Sequence, residues 1–222
     1  MRRPALAVRA ILLAGAVAVA GCSGDSDSAG GGGGTATTIG GEGATTSLPV
    51  TVSGAVDLRR LVVADAPAGY GLLPSPPFGA VDLQRLLTDF SDAPMQDRVI
   101  LEGARFKGGY TRGWRKEAEP RAFLGVFVFE FDDDAGAGSA RDQFAAQDDR
   151  KTNISPFAVD GIAGATGESY TRGAEGQPTE RVHTVTFVRG PRLYQVDGVF
   201  AGEQDHIDEI VAFAKIEDRL AA

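Results

Sequence analysis

The chain has 222 residues and carries 30 acidic against 22 basic side chains, a formal net charge of −8. That balance argues against a nucleic-acid partner, whose phosphates require a basic surface, and it offers no pull toward anionic head groups. The single cysteine, Cys22, rules out a disulfide, a zinc-thiolate cluster or a cysteine nucleophile in any domain behind it.

Residues 1–21 have the three parts of an export signal. Arg2, Arg3 and Arg9 give a positive start, Ala10 to Ala20 form an apolar run, and small residues precede a cleavage point. The run is shorter than the roughly 20 apolar residues of a permanent transmembrane helix. The paired arginines lack the rest of a twin-arginine motif, so the general secretory route is expected. Val19-Ala20-Gly21-Cys22 resembles the lipobox of bacterial lipoproteins. The resemblance implies removal of residues 1–21 and a diacylglycerol, with palmitate-type chains, on the Cys22 thiol. It places the protein at the cell membrane, lipid-anchored on the extracytoplasmic face. Buried methylenes contribute about 0.8 kcal/mol each, so a two-chain anchor holds where one chain is marginal.

Residues 22–47 comprise the lipidated cysteine and a linker. Ser23 to Ser47 include the run Gly30 to Gly34, several Ser and Thr, and almost no large apolar residue, a composition that cannot offset the entropy of ordering. The glycines follow no strand and lead to no Gly-Lys-Ser/Thr, so they are no phosphate loop. Loss of the three signal arginines leaves 19 basic against 30 acidic side chains, a charge of −11. Residues 48–222 read as one globular domain, long enough to bury a substantial core.

Within it, Leu58 to Val63 has the apolar content of a strand. Leu83, Leu86, Leu87 and Phe90 share one helical face. Arg98 to Arg115 reads as a long extended segment bent at Gly108-Gly109. Arg121 to Phe131 follows, with Phe123, Phe127, Phe129 and Phe131 on one face and Leu124, Val126 and Val128 on the other. A strand apolar on both faces must be covered on both, so this segment is expected at the centre of the sheet. Asp132-Asp133-Asp134 opens an Ala-rich helix to Gln147, its acids suited to the free N–H groups and the dipole. Ser155 to Arg172 is a loop-rich strand region. Arg181–Arg189 and Arg192–Phe200 form a hairpin about Gly190-Pro191, a pair suited to a type II′ turn. Glu203 to Leu220 closes the chain as an amphipathic helix.

The order predicts an α+β domain: a mostly antiparallel sheet with about three packing helices. Tyr110-Thr111-Arg112-Gly113 recurs as Tyr170-Thr171-Arg172-Gly173, through chance or an old duplication. The lipobox, the tether, Ala66-Pro67-Ala68-Gly69-Tyr70 and Gly109-Tyr110-Thr111-Arg112-Gly113-Trp114 resemble uncharacterised actinobacterial secreted lipoproteins. The strand–helix order is similar to the PsbP-like domains of some mycobacterial lipoproteins. That similarity implies an accessory or binding role and carries no site residues with it.

Signs of chemistry are sparse. His183 lies in a strand with Val185 and Phe187, as a core histidine would, and His206 lies at a helix start. Ser169 lacks the second glycine of a nucleophile elbow. Asp132–Asp134 lack calcium-loop spacing. Neither a metal site nor a cofactor is indicated, and no catalytic residue can be named. The local anomaly is basic: Arg105, Lys107, Arg112, Arg115 and Lys116 interleave with Tyr110 and Trp114, the only Trp. A guanidinium beside aromatics binds a carboxylate, a phosphate or a sugar face. It equally makes a solvated strand whose charges pair with Glu117 and Glu119. Tyr110, Arg112, Trp114 and Arg115 are therefore the candidate ligand-binding residues. The expected role is a non-catalytic domain binding an envelope protein or a small ligand; the competing role is a carboxylate-dependent hydrolase of the envelope.

Overall fold

The computed structural model describes residues 57–222 except 75, 76, 92, 120, 147–150, 173–179, 203 and 204. The export signal, Cys22 and the linker lie outside the described residues. From Asp57 onward the chain is α+β, with an eight-stranded antiparallel sheet and four α-helices.

The strands are β1 (Tyr70–Leu72), β2 (Gly79–Val81), β3 (Phe106–Lys116), β4 (Phe123–Phe131), β5 (Thr152–Phe157), β6 (Thr166–Arg172), β7 (Glu180–Arg189) and β8 (Arg192–Ala201). Across the sheet they run β1-β3-β4-β8-β7-β6-β5, and β2 pairs with β3 beside β1. The β7–β8 hairpin forms as expected: Arg189 pairs with Arg192 across the two-residue turn, and Gly190 takes φ +53°. Strand β4 is interior, but β8 rather than β4 holds the middle position.

The two faces of the sheet carry separate cores. On one, Trp114, Leu124, Val126, Val128, Val185, Tyr194, Val196 and Phe200 meet the helix α4 (Ile207–Ala221) through Ile210, Phe213 and Ala214. On the other, Phe127, Phe129, Phe131 and Leu193 meet α1 (Leu83–Asp89), α2 (Pro94–Gly103) and α3 (Asp134–Ala145). The alternation read along β4 is thus the division between the two cores. Asp133 caps α3, its carboxylate accepting from the Gly136 N–H at 2.7 Å. Asp132 turns aside to pair with Lys107 at 3.0 Å.

Two segments differ from expectation. Leu58–Leu61 is a short 3-10 helix, not a strand. Its continuation is held by side chains instead of a neighbouring strand: the Val63 N–H donates to Glu217 at 3.0 Å, and the Val62 and Val63 carbonyls accept from Arg112. Residues 98–103 belong to helix α2, not to an extended run into β3. Asp97, Ile100, Leu101 and Ala104 are its buried face, spaced i, i+3, i+4, i+7, with a polar residue first. That Asp97 breaks the apolar stripe, and Met95 and Val99 lie exposed on the other side, so hydrophobicity alone hides the helix. Pro94 at its first turn is the start signal that was available.

Ile210 of α4 packs against Gly198 on β8. A Cβ there would stand 2.1 Å from Ile210 Cδ1 and 2.7 Å from Phe200 Cε2. Overpacking of this kind costs about 1–3 kcal/mol. Gly198→Ala is expected to lower the unfolding free energy by that amount, read as a lower urea midpoint at unchanged m-value; a variant as stable as wild type would show that α4 does not press on this position.

Candidate functional site

The basic–aromatic segment lies on β3, and its alternation puts Tyr110, Arg112 and Trp114 on one face and Arg115 on the other. That shared face is the α4 core. Trp114 is wholly buried, with its ring edge-on to Phe213 at 5.3 Å. Arg112 is buried; its guanidinium donates to the Val63 carbonyl and to Tyr110 Oη at 3.2 Å, and lies 5.5 Å from the Tyr110 ring centroid. Arg115 is exposed on the opposite face. The structure therefore brings together Tyr110 and Arg112, with Trp114 beneath them, and separates Arg115. Gly113 makes room for protein: a Cβ there would lie 2.5 Å from the Phe78 ring. Lys107 pairs with Asp132, and Lys116 with Glu119 at 2.8 Å.

The histidines belong to the same half of the molecule. His183 is fully buried, and its Nδ1 lies 2.6 Å from Ser169 Oγ, itself buried. The backbone N–H of His206 donates to His183 Nε2 at 3.4 Å. Nε2 is thus an acceptor, so in the neutral ring Nδ1 carries the proton and donates to Ser169. A serine facing a protonated nitrogen cannot pass its own proton to that ring, and neither atom faces solvent, so the pair is structural. Burial holds His183 down at about 4. His206 stacks on Phe200 at 3.8 Å and pairs with Glu209 at 3.2 Å; Glu209 also accepts from Tyr70 Oη at 2.7 Å.

A cleft of about 390 Å³ lies on the opposite face, between α3 and strands β5–β8. Its floor comes from the register of three strands. Glu168, Thr184 and Asp197 form one row across β6, β7 and β8; Thr166, Thr186 and Gln195 form the next. Apolar rows flank them, Tyr170-Val182-Val199 on one side and Val188-Leu193 on the other. Two polar rows thus lie where the neighbouring sheet surface is core. Phe144 of α3, Ile154, Pro156 and Leu193 make apolar walls, and Arg141 and Lys151 complete the lining.

Electrostatics beneath the floor centre on Asp197, which is buried and accepts from Thr184 Oγ1 and from Gln195 Nε2, each at 2.8 Å. Burial raises its carboxyl to about 6, against the opposing effect of those hydrogen bonds. Lys151 pairs with Glu168, and its ammonium lies 4.9 Å from the Tyr170 ring centroid.

No family model and no curated protein matches the chain. The extracellular domain of PknH from Mycobacterium tuberculosis is a structural neighbour at TM-score 0.40 and 14% identity, over 55% of this chain and 68% of that one.

The floor was absent from the sequence expectations, although its signal was present. Val182-x-Thr184-x-Thr186-x-Val188 and Leu193-x-Gln195-x-Asp197-x-Val199 each place two polar residues between apolar ones on a single strand face. The register needed to align those pairs is a property of the folded sheet. Among the described residues, no helix is long and apolar enough to cross a membrane, and no three His, Cys, Asp or Glu side chains are disposed to hold a metal ion.

Glu217, fully buried near Arg112, gives the α4 core a pH signature. Burial raises its carboxyl to about 7, against the Val63 N–H and the Arg112 charge. A folded value above the ordinary 4.5 means that the native state keeps the proton longer. Its stability contribution is full below about pH 4.5 and is lost as pH rises through 7. Glu217→Gln keeps an acceptor for Val63 but does not titrate. Across pH 4.5 to 7 the variant is expected to gain on wild type by on the order of 3 kcal/mol, then level off; parallel denaturation curves at every pH would refute this.

Proposed function

We propose that the protein is a non-catalytic, lipid-anchored envelope protein that holds a small ligand in the cleft between α3 and strands β5–β8. The observation that carries this reading is the pair of polar rows, sunk between apolar rows and opening into a cleft of about 390 Å³. Small-molecule sites are typically clefts of roughly 300–1,000 Å³ with apolar walls and a few convergent polar groups. Polar side chains placed where the sheet would otherwise be core carry a desolvation cost that apolar packing does not, and a bound ligand would use them. The competing hydrolase needs two carboxylates in one accessible pocket. In this cleft Glu168 is the one carboxylate among the described lining residues, Lys151 pairs with it, and Asp197 of the floor row is buried outside the lining. A second depression of about 430 Å³ at the start of α4 gathers Asp205, Asp208 and Glu209 with His206, and there Glu209 already accepts from Tyr70 and pairs with His206.

Ala145 is exposed at the cleft wall on the last turn of α3, so a large ring there fills the opening without entering either core. Native mass spectrometry of the chain recovered from envelope extracts should show a small molecule on wild type and its loss from Ala145→Trp. Equal occupancy in the two proteins would place the ligand elsewhere and defeat the reading.

The anchor rests on the lipobox resemblance at Cys22. Cys22→Ala is expected to move the protein from the membrane fraction to the soluble fraction on ultracentrifugation. Retention in the membrane fraction would mean that something other than a thioether-linked lipid holds it.

A further inference from the structure

We infer that the ligand of the cleft is an uncharged, hydroxyl-rich molecule of the sugar or polyol class, an inference that rests on the cleft being a binding site. The floor's hydrogen-bonding groups are committed in a direction that favours such a ligand.

Asp197 has two carboxylate oxygens, and each is occupied by a floor residue: Thr184 Oγ1 donates to Oδ1, and Gln195 Nε2 donates to Oδ2. A threonine hydroxyl has a single proton. With that proton committed downward, Thr184 offers a ligand only lone pairs. An ionised carboxylate accepts and cannot donate, which fixes the Gln195 amide with its nitrogen toward Asp197. Its amide oxygen, together with its second N–H, remains for other partners. Asp197 therefore biases this part of the floor toward acceptors.

An acceptor-rich floor selects against phosphates and carboxylates, which bring acceptors of their own. The two cations of the lining do not reverse this. Lys151 is paired with Glu168, and Arg141 with Asp142 at 2.8 Å. A cationic ligand is disfavoured in turn, because Lys151 already occupies the Glu168 carboxylate. What remains is a neutral molecule with several O–H donors. Hydroxyls also accept, which suits Thr166 and Thr186 in the next row, whose own hydroxyls do both. The Phe144 ring in the α3 wall offers an apolar surface to the C–H face of such a molecule.

The test is an NMR titration of the full chain at pH 7.5. Trehalose and myo-inositol serve as uncharged probes, glucose 6-phosphate and glucuronate as anionic ones, and decanoate as an apolar chain. The uncharged probes are expected to shift the amides of Thr166, Thr184 and Thr186 and the side-chain amide of Gln195. Thr186→Val keeps shape and β-branching while removing one hydroxyl, and should weaken that binding about tenfold; Thr166→Val is the second variant. Binding of the uncharged probes that neither variant weakens would overturn the assignment to this floor. If an anionic probe or decanoate moves these resonances and the uncharged probes do not, the ligand class is wrong while the cleft remains a binding site. If no probe moves them the class is also wrong, and the cleft reading is then decided by the Ala145→Trp comparison.

Discussion

Strand β8 is paired along its length with β4 on one side and β7 on the other. No side chain on it can escape to an edge, so each must enter one of two environments set by the two-residue period. Tyr194, Val196, Gly198 and Phe200 enter the α4 core. Leu193, Gln195, Asp197 and Val199 enter the other face, and there the row changes from apolar to polar and back. The two halves of the molecule follow from that strand: a dry core beneath α4, and on the reverse a cleft with a polar floor. A one-residue slip of β8 against β7 would exchange them, turning Asp197 toward the α4 core and Val196 toward the cleft face.

Buried charge is handled differently on the two sides. Under α4, Arg112 and Glu217 reach the backbone of residues 62 and 63 and so hold a segment that has no strand partner. The charges here serve as substitutes for a missing ladder, which explains why a basic–aromatic motif that looks suited to a ligand is occupied by the protein itself. Under the cleft, Asp197 touches no backbone donor among its described hydrogen bonds; its partners are the two floor side chains. A buried acid that organises side chains facing a cavity sets what the cavity presents, whereas one that anchors backbone sets only the fold.

The titrations of the buried groups oppose one another. Glu217 and Asp197 hold protons longer in the native state and favour it at lower pH. His183, held neutral by burial, opposes it there: the unfolded chain binds a proton below the ordinary value of 6.5, so stability falls as pH drops from there toward 4. All three contributions overlap between about pH 4.5 and 6. Single substitutions at these positions should therefore reveal slopes that the wild-type profile partly conceals.

Much of the architecture was legible along the chain. The double-sided apolar pattern of residues 123–131, the Asp-led start of α3, the Gly190-Pro191 turn and the amphipathic face of α4 are local signals, and each reports a local cause: a period, a cap, a permitted φ. Helix α2 was hidden because Asp97 stands in its buried stripe, and the non-strand course of residues 62 and 63 because their side-chain hydrogen-bond partners are 49 to 154 residues away. The sequence by itself determined the α+β class, the single cysteine at the lipobox-like segment and the acidic charge. Only the tertiary structure decided that Tyr110, Arg112 and Trp114 face the α4 core, that Trp114 packs on Phe213, and that polar pairs on β6, β7 and β8 lie side by side. The reason is physical: periodicity tells a residue which side of its own strand it occupies, but register between strands, and the helix laid over them, tell it what that side faces.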